Sequence, residues 1–126
     1  FIGAPPMNFI EGRASNGQIE LPSVKLTLKR QSSASGEVVV GIRPEDVYDI
    51  AANCPIPVTD ENTLEARVDV VERLGPEDTA YLVAGEKNII ASLDPATRIQ
   101  EGKVAKFAID LDKIHLFDAT TEQRIS

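Results

Sequence analysis

Leu64-Glu65-Ala66-Arg67-Val68-Asp69-Val70-Val71 is the stretch that decides the fold. Leu64, Ala66, Val68 and Val70 alternate with Glu65, Arg67 and Asp69. A period of two places the apolar set on one face of an extended strand and the charged set on the other. The alternation slips at Val70-Val71, where neighbouring apolar residues fall on opposite faces. Such a slip predicts either burial on both sides or a β-bulge that resets the phase. Small barrels use bulges of this kind to curl.

The same period runs outward in both directions. Segments 25–29, 37–42, 79–84, 88–93, 104–111 and 113–117 read as short strands. Turn signals separate them, among them Ser35-Gly36, Gly75-Pro76, Gly85-Glu86, Asp94-Pro95 and Glu101-Gly102. Asn16-Gly17 lies between two strand-like runs and predicts a two-residue hairpin turn. Segment 31–36 reads as a polar loop. Segment 51–63 is the longest irregular stretch, and Pro55 and Pro57 keep it out of a central strand. Pro44 to Tyr48 predicts one short helical turn, with proline at its first position and Glu45 and Asp46 at the positive N-terminal end. No longer segment carries a 3.6-residue apolar stripe. The expectation is an all-β domain of about ten short antiparallel strands over residues 1–126, a small barrel or sandwich. It has possible halves at 1–50 and 64–126, with the seam in the long loop.

Composition narrows the function classes. The chain has 126 residues, 42% hydrophobic and 26% charged, which suits an ordinary globular core and not a disordered tail. The net charge of −7 repels a phosphate backbone, so no nucleic-acid partner is expected. An OB-type strand binder would also need exposed aromatics in a basic groove. No apolar run approaches the roughly 20 residues of a membrane span. The first residue is Phe1 and the one methionine is Met7. With no signal-peptide pattern, this is read as a piece of a longer protein.

The search for chemistry returns nothing catalytic. His115 sits inside a strand with no nucleophile or orienting carboxylate indicated nearby, and reads as a structural or surface histidine near a sheet edge. Cys54 precedes Pro55 in the long loop, without the basic setting that activates a thiol. One histidine and one cysteine cannot assemble a zinc site. No phosphate loop and no calcium-loop pattern occurs, and Asp60-Glu61-Asn62 reads as a solvated loop tip. No catalytic residue, cofactor or metal is therefore expected on this chain.

Four stretches are unusual for a generic β domain. They are Phe1-Ile2-Gly3-Ala4-Pro5-Pro6-Met7-Asn8-Phe9-Ile10, Gly41-Ile42-Arg43-Pro44-Glu45-Asp46-Val47, Val70-Val71-Glu72-Arg73-Leu74-Gly75-Pro76-Glu77-Asp78-Thr79, and Lys113-Ile114-His115-Leu116-Phe117-Asp118 followed by Arg124-Ile125. In content, order and spacing they resemble the C-terminal regulatory region of ATPase subunits from the maltose and glycerol-3-phosphate importer family. That region carries the transport-associated OB-fold, TOBE. Two departures stand out. Asp46 occupies the place where the family motif usually has histidine, and Pro76 stands where small or polar residues are common.

The resemblance implies a non-catalytic regulatory and dimerisation module of a sugar or polyol ABC importer. ATP and magnesium would bind on a separate domain of the parent ATPase. The implied partners are a second copy through that ATPase, transmembrane permease subunits and a cytoplasmic regulator. The implied place is the cytoplasmic face of the bacterial inner membrane. The contact residues expected are Arg43, Pro44, Glu45, Asp46, Leu74 and Gly75. Residue by residue, Arg43 can serve a local clamp or a partner contact, and Leu74 a core plug or a subunit contact. Gly3, Pro5, Pro6, Met7, Asn8 and Phe9 read as a stiffened lead-in from a preceding domain. The alternative function is a small-ligand or oxyanion-binding TOBE module, which would need backbone N–H nests or helix N-termini.

Overall fold

In the computed structural model the residues described are 7–24, 26–29, 35–73, 75–121 and 123. Among them the chain forms ten strands and two single-turn 3-10 helices, with no α-helix. The strands are β1 (Asn8–Ser15), β2 (Gln18–Leu21), β3 (Leu26–Lys29), β4 (Gly36–Ile42), β5 (Val47–Asp49), β6 (Thr63–Arg73), β7 (Asp78–Ala84), β8 (Lys87–Leu93), β9 (Val104–Ile109) and β10 (His115–Asp118). Two antiparallel sheets result, ordered β10-β4-β1-β2-β3 and β5-β9-β6-β7-β8. The all-β architecture of about ten short strands expected from the alternation is the one found.

The local chemistry explains the connections. Asn16 (φ +50°) and Gly17 (φ +75°) both take the left-handed conformation that closes a two-residue hairpin between β1 and β2. The phase slip expected on β6 is a bulge: Val68 pairs with Leu82 but Val70 with Tyr81, so Asp69 is the extra residue. Ahead of it Leu64, Ala66 and Val68 are buried; beyond it Val70 is 42% exposed. The bulge bends the longest strand, and the second sheet curls until β8 lies against β5 and the 3-10 turn Pro44–Asp46.

Beyond its pairing with β9, the free edge of β6 is covered by the segment 99–103. Val68 N–H donates to the Lys103 carbonyl (2.8 Å), Gly102 N–H to the Val68 carbonyl (2.7 Å) and Val71 N–H to the Glu101 carboxylate (2.9 Å). Arg73 donates to the Ile99 carbonyl (3.0 Å). A long sheet edge is thereby satisfied and closed to a second chain. The strand expected to reach residue 111 stops at Ile109, because Asp110 turns the chain: Asp112 N–H donates to its carboxylate and Lys113 N–H to its carbonyl, both at 3.1 Å.

One apolar core runs through both sheets, with Ile10, Leu21, Leu28, Val40, Leu82, Ile89, Phe107 and Leu116 essentially buried. The chain passes from the first sheet to the second at residues 43–46 and returns when β10 pairs with β4.

Candidate contact surface

The turn joining the sheets is the most organised of the expected contact regions. Arg43 is extended (φ −72°, ψ 144°), as a residue before proline must be, and Pro44 starts a single 3-10 turn. Asp46 N–H donates to the Arg43 carbonyl (2.9 Å), and Asp110 N–H donates to the Asp46 carbonyl (3.1 Å). Pro44 and Asp46 are buried, while Arg43 and Glu45 are exposed. The four residues therefore divide into two that anchor the turn and two whose charged heads face solvent.

Asp46 is a carboxyl only 5% exposed. Burial pushes its pKa up; Lys113 pulls it down, Glu45 and Asp110 push it further up, and Arg43 pulls it down. Tyr48 is raised first by burial, with Lys113 acting against the shift and Asp46 and Asp110 adding to it. Lys113 and Asp110 lie 3.9 Å apart and close this charged cluster. The next acid along, Asp49, is also buried and takes a hydroxyl hydrogen bond from Thr97 (2.6 Å) and the Ala51 N–H (3.0 Å).

Of the expected lead-in residues that are described, Asn8 and Phe9 begin β1 and Met7 precedes it. Phe9 and Met7 lie on the outer face of the first sheet, where the Phe9 ring meets Phe117 edge-on with centroids 5.9 Å apart. Gly41 on β4 makes room for this layer, since a Cβ there would run into Met7 Sδ and crowd the Phe117 ring. Asn8 points the other way, into the joint between the sheets. Its Nδ2 donates to the Ile90 carbonyl (2.8 Å) and the Ile42 carbonyl (3.1 Å), and its Oδ1 accepts the Ile90 N–H (2.8 Å).

Gly75 is exposed at φ +126°, in the β6–β7 turn. Leu74, Gly3, Pro5 and Pro6 lie outside the described residues. His115 is buried on edge strand β10, opposite Gly41. Cys54 is half-buried, with its thiol 3.5 Å from the Ile56 carbonyl. Among the described residues no group of three or more His, Cys, Asp or Glu is placed to hold a metal ion. Among them, too, no helix is long and apolar enough to cross a membrane.

Sequence reasoning misses three features. The Asn8–Ile90 joint links positions 82 apart, and Asp49–Thr97 positions 48 apart, so no local pattern announces either. The third is a second joint: Glu86 N–H, at the tip of the β7–β8 hairpin, donates to the Ser23 carbonyl (2.9 Å). Gly85, at φ +59°, sits so close that a Cβ there would run into the same carbonyl oxygen. The Gly85-Glu86 pair is legible as a turn but not as a docking point.

Comparison with known proteins places these features. Residues 3–47 match the MalK OB fold domain and residues 59–116 match the TOBE domain. The oligosaccharides import ATP-binding protein MsmX of Bacillus subtilis (strain 168) is 35% identical over 133 residues, covering 99% of this chain and 36% of that protein. The trehalose/maltose import ATP-binding protein MalK of Thermococcus litoralis is 37% identical over 134 residues, with the same two coverages. The chain thus spans about a third of the length of these relatives. A crystal structure of the cytoplasmic molybdate-binding protein ModG with molybdate bound superposes with a TM-score of 0.65 over 91% of this chain and 98% of that one, at 17% identity. At that identity the likeness is one of fold.

Proposed function

We propose, from the premise that the chain belongs to the MalK OB fold and TOBE domain families, that it is the regulatory and dimerisation module of the ATP-hydrolysing subunit of a bacterial carbohydrate ABC importer. The observation that carries the proposal is the match over 99% of the chain, at 35–37% identity, to ATP-binding proteins named for oligosaccharide and trehalose/maltose import. In this reading ATP and magnesium bind elsewhere on the subunit. The subunit sits on the cytoplasmic face of the membrane against permease subunits, and a cytoplasmic regulator docks on the module.

The physical role follows from tethering. Two ATPase domains that must close on ATP and reopen lose translational freedom at every closure. A contact kept between the modules makes re-closure intramolecular, at a high effective concentration. A regulator that prefers one arrangement shifts the equilibrium by its difference in affinity. Arg43 and Glu45, presented by a turn that buries its other two residues, suit such a contact because little further ordering is needed on binding.

Deleting residues 7–123 from the ATP-binding subunit tests the role. The truncated subunit is expected to bind ATP, with turnover that now rises steeply with protein concentration because each cycle must re-form the dimer. Turnover per subunit that stays independent of concentration counts against the proposal. A second reading, small-ligand or oxyanion binding, draws support from the cations gathered at one mouth of the second sheet.

A further inference from the structure

At the end of the curled second sheet the segment 96–100 and the starts of β9 and the post-β5 turn enclose a cleft of about 460 Å³. Its apolar lining comes from core residues: Val68 and Ile99 are buried, and Ala105 is half-buried against the core. Arg98 and Lys103 line the same cleft and are exposed, whereas Lys106 projects from the opposite face of β9 to Ala105, beside Glu65 of β6. Four other cations of the chain are spent on carboxylates, in the pairs Arg13–Glu37, Lys29–Glu61, Arg73–Asp78 and Lys113–Asp110. Neither Arg98 nor Lys103 makes an ion pair with a described residue.

Asp49 and Glu101 are engaged elsewhere. Among the described residues Asp49 is the one carboxylate in the lining, and its two oxygens take the Thr97 hydroxyl (2.6 Å) and the Ala51 N–H (3.0 Å). Glu101 turns its carboxylate to the Val71 N–H (2.9 Å), on the β6 edge. The lip of the cleft is held in place by the backbone bonds of Gly102 and Lys103 to Val68. On a chain of net charge −7, two uncommitted cations beside an apolar floor are a local reversal of sign.

We propose that this barrel mouth is a binding site for a small organic anion, a phosphate or carboxylate group carried on an apolar body. The floor takes the body by area burial, and Arg98 and Lys103 take the charged head. The volume fits a small ligand, since such sites typically enclose roughly 300–1,000 Å³ and recur at barrel mouths. A bare inorganic oxyanion would leave the floor unused. The proposal gives the small-ligand reading a site and a ligand class, and it is independent of the dimerisation reading.

Titration calorimetry of the chain with phenyl phosphate, inorganic phosphate and phenol tests it, alongside Arg98→Gln, Lys103→Gln and Lys103→Glu. All three substitutions fall on exposed side chains, and thermal unfolding of each variant reports whether it is folded. Saturable binding of phenyl phosphate is expected, about tenfold or more tighter than inorganic phosphate or phenol, weakened about tenfold by Lys103→Glu and by added salt. Phenyl phosphate binding that the folded variants leave unchanged overturns the site while keeping a ligand-binding module. No saturable heat with phenyl phosphate overturns the site, and none with inorganic phosphate either counts against the small-ligand reading as a whole.

Discussion

The side-chain amide of Asn8 acts as a one-residue strand for Ile90. It donates to the Ile90 carbonyl and accepts from the Ile90 N–H, both at 2.8 Å, so the outward backbone groups of edge strand β8 are paired across the joint between the sheets. Asn8→Ala leaves those two groups and the Ile42 carbonyl without their partner. A loss of about 1–3 kcal/mol is expected, the usual cost of stranding buried polar groups. Chemical denaturation measures it, and exchange of the Ile90 amide should accelerate more than that of its neighbours on β8. Asn8→Asp, which keeps the acceptor but loses the donor, is expected to be no better than alanine.

The second joint gives a contrast between two glycines with positive φ. A Cβ at Gly102 (φ +84°) would meet nothing within 4 Å, so Gly102→Ala is expected to cost only the left-handed backbone penalty, about 1–2 kcal/mol. Gly85→Ala adds a collision with the Ser23 carbonyl oxygen to the same penalty and must push the β7–β8 hairpin off the first sheet. Unfolding midpoints of the two variants check this: Gly85→Ala should fall clearly below Gly102→Ala. Equal midpoints would show that the hairpin tip is not held at Ser23.

Asp46 sets a pH dependence whose sign follows from burial. Its folded-state pKa lies above the unfolded one, so the folded chain holds the proton more tightly. The stabilisation from this group is complete below the unfolded carboxylate pKa and is lost as pH rises through the folded value. Asp46→Asn is therefore expected to raise the unfolding midpoint at neutral pH, with a gain that shrinks as the pH is lowered into the carboxylate range. Asp118 provides the opposite case: the Thr121 and Thr120 N–H groups hold its carboxyl below the ordinary value. A carboxyl-carbon NMR titration should find Asp118 protonating last on acidification and Asp46 earlier than typical aspartates.

Arg43→Glu reverses a charge on the exposed side of the inter-sheet turn; it leaves the buried Pro44 in place and pushes the Asp46 carboxyl further up. In the intact ATP-binding subunit it is expected to weaken self-association by about tenfold or more, equivalent to roughly 1.4 kcal/mol. Sedimentation over a concentration series reads the constant. A folded variant that associates like the parent would remove Arg43 from the contact surface.

Strand by strand, the fold is open to reading because alternation is a local signal. Leu64, Ala66 and Val68 announce their face by spacing alone, and Val70-Val71 announces the bulge that lies one residue away at Asp69. What joins the sheets is hidden, because Asn8 and Ile90 or Glu86 and Ser23 meet only after the chain has folded. The candidate surface divides likewise. Arg43-Pro44-Glu45-Asp46 stands out as a motif, yet nothing local distinguishes the buried Asp46 from the exposed Glu45 beside it. The cations at 98 and 103 lie in the loop before β9, whose sidedness only the fold decides.

The proposed role requires the module to keep two subunits together when their ATP sites are empty. Sedimentation equilibrium of the intact ATP-binding subunit in nucleotide-free buffer measures this directly. The mass of two subunits, persisting without ATP and lost when residues 7–123 are removed, is the result predicted. A single-subunit mass that doubles only on adding ATP would contradict it.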